Sequence, residues 1–134
     1  MFLIIRKRRA RIIPEEPIIV IPAHIKAKQR LEELKGKELW QNGLQKEYNV
    51  QLTEIIQQYI TDKYKVPTKE KTSSEILDSI RFVEMNSQNK NNLRQLLMLS
   101  DLVKFAKEKP TEDENNQVLK NAFDFIVSTK NQDI

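Results

Sequence analysis

The sequence predicts an all-α fold, a compact five-helix domain, and three observations carry that prediction. Apolar residues recur at helical spacing over long stretches, while a single β-branched run, Ile18 to Ile21, has no second strand to pair with. Only two glycines, Gly36 and Gly43, occur in 134 residues, which excludes Gly-rich phosphate loops, tight hairpins and dinucleotide fingerprints. Two capping signatures, Thr72-Ser73-Ser74-Glu75 and Thr111-Glu112-Asp113-Glu114, mark helix starts, because a Thr N-cap and a Glu three residues on satisfy orphan amides reciprocally. The length suits one domain with a core of its own. Cysteine is absent, so disulfides, thiol chemistry and Cys-based zinc sites are absent too.

Met1 to Arg11, MFLIIRKRRAR, places four apolar residues ahead of a dense cationic run. Four residues fall far short of the roughly 20 that span a bilayer, and the order is the reverse of a secretory signal. It is the order of the end of a membrane anchor followed by a positive-inside cluster, here Arg6, Lys7, Arg8, Arg9 and Arg11. A basic tail without fixed structure, a nucleic-acid arm and a nuclear-import-like patch are the other readings. Residues 12–22 contain three prolines, which remove donors and bias their predecessors away from helix, so this is an extended Pro-rich linker. If Phe2 to Ile5 ends a span, the linker, extended at about 3.1 Å per residue, would hold the domain roughly 30 Å off the membrane, a distance suited to a protein partner rather than to lipid.

The helical domain is expected over residues 23–134. Its first helix, 23–38, carries Ala23, Ala27, Leu31 and Leu34 on one face, with Pro22 at its start. Gly36 ends or weakens it, Leu39 and Trp40 turn inward, and Gln41-Asn42-Gly43 forms a break. Trp40 is expected as a core anchor at that corner, with a surface binding role as the alternative. The second helix, 44–64, shows a stripe of Leu44, Tyr48, Leu52, Ile55, Tyr59 and Ile60, and Val66-Pro67 breaks it. A capped helix over 73–84 turns Ile76, Leu77, Ile80 and Val83 inward, and Asn86 to Asn92 reads as a polar loop. The helix over 91–108 is expected at the centre. Leu93, Leu96, Leu97, Ser100 and Val103 share one face, and Leu99, Leu102, Phe105 and Ala106 fill its flanks, so it is apolar over more than half its circumference. Phe105 is the second expected core anchor, and Pro110 forbids continuation. The last helix, 112–129, points Val118, Leu119, Ala122, Phe123, Ile126 and Val127 inward.

The net charge of +4 is unevenly placed: the first eleven residues carry +5, leaving −1 for residues 12–134. The folded part is therefore expected to be close to neutral, whereas a nucleic-acid footprint is usually spread over a domain face. The step from Tyr64 to Ile80 has the connectivity of a helix-turn-helix. Its recognition helix would present Glu75, Asp78, Ser79, Arg81 and Glu84, the wrong surface to offer phosphates. Tyr48, Tyr59 and Tyr64 suit core packing, with hydroxyls at the rim, better than stacking on bases. A helix-turn-helix nucleic-acid module with a basic arm is thus the alternative reading. No catalytic, cofactor or metal site is expected. His24 has no ligand partners at metal spacing, Ser100 and Asp101 point to different helix faces, and Glu15-Glu16 and Glu32-Glu33 are solvated pairs.

Two segments carry a resemblance. Tyr59-Ile60-Thr61-Asp62-Lys63-Tyr64 followed by Val66-Pro67 ends one helix, and Asp101-Leu102-Val103-Lys104-Phe105-Ala106 ends another. This resembles the cytoplasmic C-terminal domain of the bacterial BatD-type aerotolerance proteins and related single-span membrane proteins. There a "Y-(I/L)-x-D-K-(hydrophobic)-x-(I/V)-P" helix end precedes an "(E/D)-x-x-(R/K)-F-A" helix end. Tyr59, Asp62, Lys63 and Pro67 match the first motif, and Asp101, Lys104, Phe105 and Ala106 the second. The resemblance implies a non-catalytic protein-interaction domain tethered to the cytoplasmic face of the inner membrane. Its implied partners are a MoxR-type AAA+ ATPase and von Willebrand A domain proteins. This chain departs from the family in having no periplasmic portion and no complete membrane helix.

Overall fold

The computed structural model describes residues 20–105 and 109–130; among these 76% are helical and no strand occurs. The elements are α1 (Ala23–Lys37), α2 (Gln45–Tyr64), α3 (Ser73–Ser79), α4 (Ser87–Phe105) and α5 (Glu112–Thr129). A 3₁₀ turn, Ile80–Phe82, prolongs α3. The all-α, five-helix fold class is therefore the observed one. The membrane-anchor end or basic tail (residues 1–11), residues 12–19 of the linker, Ala106 and the expected last turn of α4 lie outside the described residues.

Cross-helix contacts fix the topology. Lys26 reaches Asp62 (3.8 Å) and Lys37 donates to Gln51 (2.9 Å), so α1 and α2 run antiparallel. Tyr48 meets Asn115, Tyr59 meets Thr129 and Lys63 meets Lys130, a nearly constant offset that makes α2 and α5 parallel. Asn92 near the start of α4 bonds the Asn121 carbonyl in the second half of α5 (3.2 Å), so that pair is antiparallel. Helices α1, α2, α4 and α5 touch in that order around a ring, with α2 and α5 meeting across its diagonal. The domain is thus an up-down-up-down four-helix bundle. The short α3 lies along α4, Ser73 bonding Asp101 (3.0 Å) at one end and Lys90 bonding the Arg81 carbonyl (3.0 Å) at the other.

The hub is α2 rather than α4, which corrects the expectation of a central apolar helix at 91–108. Tyr48, Leu52, Ile55, Ile56, Tyr59 and Ile60 are all buried on α2, which touches α1, α4 and α5. On α4 the buried residues are Asn89 and the arc of Leu93, Leu96, Leu97, Ser100 and Val103. Its neighbours α2, α3 and α5 leave one side open, and Met98, Leu102 and Phe105 fall there. Phe105, expected as a core anchor, is 75% exposed. Trp40, the other expected core anchor, is only half-buried and packs against the edge of the core.

Four smaller corrections have local causes. Gly36 does not end α1; the helix runs to Lys37 and turns out through Glu38, left-handed at φ 51°. Leu44 precedes the first turn of α2 and is exposed. The 73–84 helix stops early: Ile80 to Phe82 tightens to 3₁₀ geometry, which buries Ile80 and lets the chain turn back along α4. In α5 the buried set is Asn115, Val118, Ala122, Phe125, Ile126 and Thr129, so Phe125 takes the place expected of Phe123, which is half-buried, while Val127 is exposed. Both capping boxes form as predicted, Thr72 with Glu75 and Thr111 with Glu114.

Candidate functional site

Residues 86–92 are not a loop. Asn86 accepts the Asn89 amide on its side chain (2.7 Å), an N-cap that starts α4 four residues earlier than apolar periodicity indicates. The resulting amide-rich turns face the last turns of α5 across an open groove lined by Asn89, Asn92, Gln95, Asn121, Asp124 and Ser128, among others. Asn92 crosses it to the Asn121 carbonyl, Gln117 bonds the Asn121 side chain (2.9 Å), and Lys120 pairs with Asp124 (2.8 Å). Asn89 is 4% exposed, and its amide nitrogen has no partner.

Further along α4, Met98 (55% exposed), Leu102 (47%) and Phe105 (75%) stand at i, i+4 and i+7, one stripe down the outer face. Lys104 lies over the Phe105 ring, 5.6 Å from its centre. A run of large apolar side chains on one helix face marks an interaction surface more often than isolated exposed residues do.

The two sequence motifs do not converge on one site. Tyr59 is buried, its hydroxyl 2.6 Å from that of Thr129, and its ring meets Phe125 edge-on at 6.0 Å. Asp62 accepts from Gln58 (2.8 Å) and faces Lys26, while Lys63 donates to the Lys130 carbonyl (3.4 Å) and lies over the Tyr64 ring. These residues stitch the last turns of α2 to α1 and α5. Pro67 is exposed just beyond Lys65, whose left-handed backbone (φ 61°) ends α2. The loop folds back through Thr68, which donates to the Gln57 carbonyl (3.1 Å). Asp101 instead holds the start of α3, and Lys104 and Phe105 project from the far half of α4. The basic cluster Arg6, Lys7, Arg8, Arg9 and Arg11, like Ala106, lies outside the described residues.

Chemical candidates are also dispersed. Ser100 is buried and its hydroxyl accepts from Thr53 (2.7 Å), whereas the neighbouring Asp101 is turned to Ser73. Among the described residues no group of three His, Cys, Asp or Glu is placed to hold a metal ion. Burial pushes the Tyr48 hydroxyl up to about 12, and it donates a long bond, 3.4 Å, to the Asn115 carbonyl. Tyr48 and Tyr59 thus keep their hydroxyls inside the bundle rather than at its rim. The α3 helix is seven residues long, with Glu75 and Asp78 exposed on it and Arg81 exposed on the 3₁₀ turn that follows. Among the described residues no helix is long and apolar enough to cross a membrane. Compared with protein families, with curated proteins and with solved structures, the chain matches none of them.

Proposed function

We propose that this chain is a non-catalytic protein-interaction domain working at the cytoplasmic face of a bacterial inner membrane, within a stress- or aerotolerance-linked complex. The observation that carries the interaction role is the exposed stripe Met98, Leu102 and Phe105, with Lys104 beside it. Three large apolar side chains held in register on a helix are a cost in water unless a partner covers them. The membrane setting and the partners, a MoxR-type ATPase and von Willebrand A domain proteins, come from the resemblance of the two motifs. The groove beside the stripe, lined mostly by amides with Arg94 and Asp124 among them, supplies donors and acceptors that extend the contact.

The test compares affinity capture from bacterial membranes by the full-length protein and by a Met98→Ser, Leu102→Ser, Phe105→Ser variant. The variant should keep its thermal unfolding midpoint and lose the ATPase and von Willebrand A proteins. Equal recovery by both proteins, or capture of neither partner class, rejects the reading.

A further inference from the structure

The up-down topology sorts charge along the bundle axis. The near end, where Val20 to Pro22 leads into α1, also carries the end of α2, the start of α4 and the end of α5. The near halves comprise residues 20–30, 55–69, 79–95 and 121–130. They hold ten basic and three acidic residues, a net +7. The remaining described residues, 31–54, 70–78, 96–105 and 109–120, hold seven basic and twelve acidic, a net −5. Near-neutrality of the folded part is therefore a cancellation between two ends of opposite sign.

The near end is apolar as well as cationic. Phe82 is 88% exposed with the Arg81 guanidinium 5.3 Å from its ring centre; that guanidinium also makes an exposed ion pair with Asp78 (3.0 Å), which water screens, and Lys90 holds the Arg81 carbonyl beside the start of α4. Ile21, Ile25 and Val127 are exposed on the same end. Lysines around exposed aromatic and branched side chains are the composition of a surface that meets lipid headgroups, where chains snorkel and apolar groups dip below the phosphates. Nucleic acid asks for cations along a groove or helix face and has no use for exposed isoleucines.

We propose that the near end of the bundle, through Lys65, Arg81, Lys130 and Phe82, docks on an anionic phospholipid surface. The stand-off expected from an extended linker is an upper limit on separation, so it is compatible with contact between the near end and lipid. The inference takes its setting from the membrane reading above, but purified protein and vesicles test it with no partner protein present, so either can fail alone.

The experiment measures binding of the full-length protein to phosphatidylcholine vesicles with and without phosphatidylglycerol, and to a duplex DNA of random sequence. A near-end variant, Lys65→Glu with Lys130→Glu, is set against a far-end variant of the same net charge, Lys35→Glu with Lys46→Glu. Loss of about thirtyfold in affinity for anionic vesicles is expected for the near-end pair, from two surface cations each worth about fivefold. The far-end pair should lose under about threefold by the same rule, since those residues stay beyond the Debye length of the surface. Phe82→Ser should weaken vesicle binding and leave DNA binding unchanged. Equal losses for the two pairs would reduce the effect to net charge and overturn the proposal. A Phe82→Ser protein with undiminished vesicle affinity would make the near end a general polyanion surface, and overturn it equally.

Discussion

Burial of the Tyr48 hydroxyl has a measurable consequence at alkaline pH. Its folded-state value of about 12 lies above the ordinary 10.0, so the folded protein holds this proton more tightly than the unfolded chain. Its contribution to stability is complete below pH 10 and declines as pH rises toward 12, by about 1.4 kcal/mol per unit. Ultraviolet titration should show a late-ionising tyrosine component that Tyr48→Phe removes, and the same substitution should flatten the stability decline over that interval. A tyrosine titration with every group near 10 would contradict the buried placement. Two phenylalanines offer a sharper contrast. Phe125 is fully buried against Tyr59, so Phe125→Ala should cost about 3–5 kcal/mol in denaturant unfolding. Phe105→Ala should cost less than about 0.5 kcal/mol, as for an exposed position, although apolar spacing read Phe105 as a core anchor and left Phe125 out of the inward set.

Between helices, the buried Thr53–Ser100 bond sets the register of α2 against α4. Ser100→Ala strands the Thr53 hydroxyl in the core and should cost about 1–3 kcal/mol, whereas Thr53→Val combined with Ser100→Ala should recover most of that. A double-mutant cycle with no coupling would mean the two hydroxyls do not depend on each other. Hydrogen exchange should be slowest in Leu52 to Ile60 of α2, and faster in α4, whose outer side faces water. Capping boxes and apolar periods made α1, α2 and α5 legible in the sequence to within a residue or so. Two features were not legible, and each has a physical reason. The first turns of α4 are nearly all amides and lack any apolar period, so only the Asn86 cap announced them, and an Asn-rich run equally fits a loop. The apolar arc of α4 is wider than its neighbours can cover, and a sequence shows the width of an arc but not the number of helices available to bury it. The candidate interaction face arises from that mismatch. The two matched motifs prove mostly to be stitching, as the bonds of Tyr59, Asp62, Lys63 and Asp101 show.

At the scale of the whole molecule, the opposed charges of the two ends give the bundle a long electrical axis. At low ionic strength, where the Debye length reaches about 30 Å, copies should associate end to end, and about 0.15 M salt should abolish this. Sedimentation velocity across a salt series checks it; association that persists in salt would point instead to the apolar stripe. The sequence hid this axis, because it appears only when the chain is folded back on itself three times and the two ends are summed separately. That folding also decides how the domain bears load. With an even number of long passes, α1 begins and α5 finishes at one end of the bundle, while the stripe of Leu102 and Phe105 extends toward the other. Pulling on the two chain termini together would peel α1 and α5 apart one turn at a time, which takes little force. Pulling on the amino terminus against a partner seated at the far half of α4 would load the helices lengthwise, so that many side-chain contacts must slip at once. The same bundle is a weak zipper in one direction and a stiff strut in the other, and single-molecule stretching with the two attachment geometries should give clearly different rupture forces.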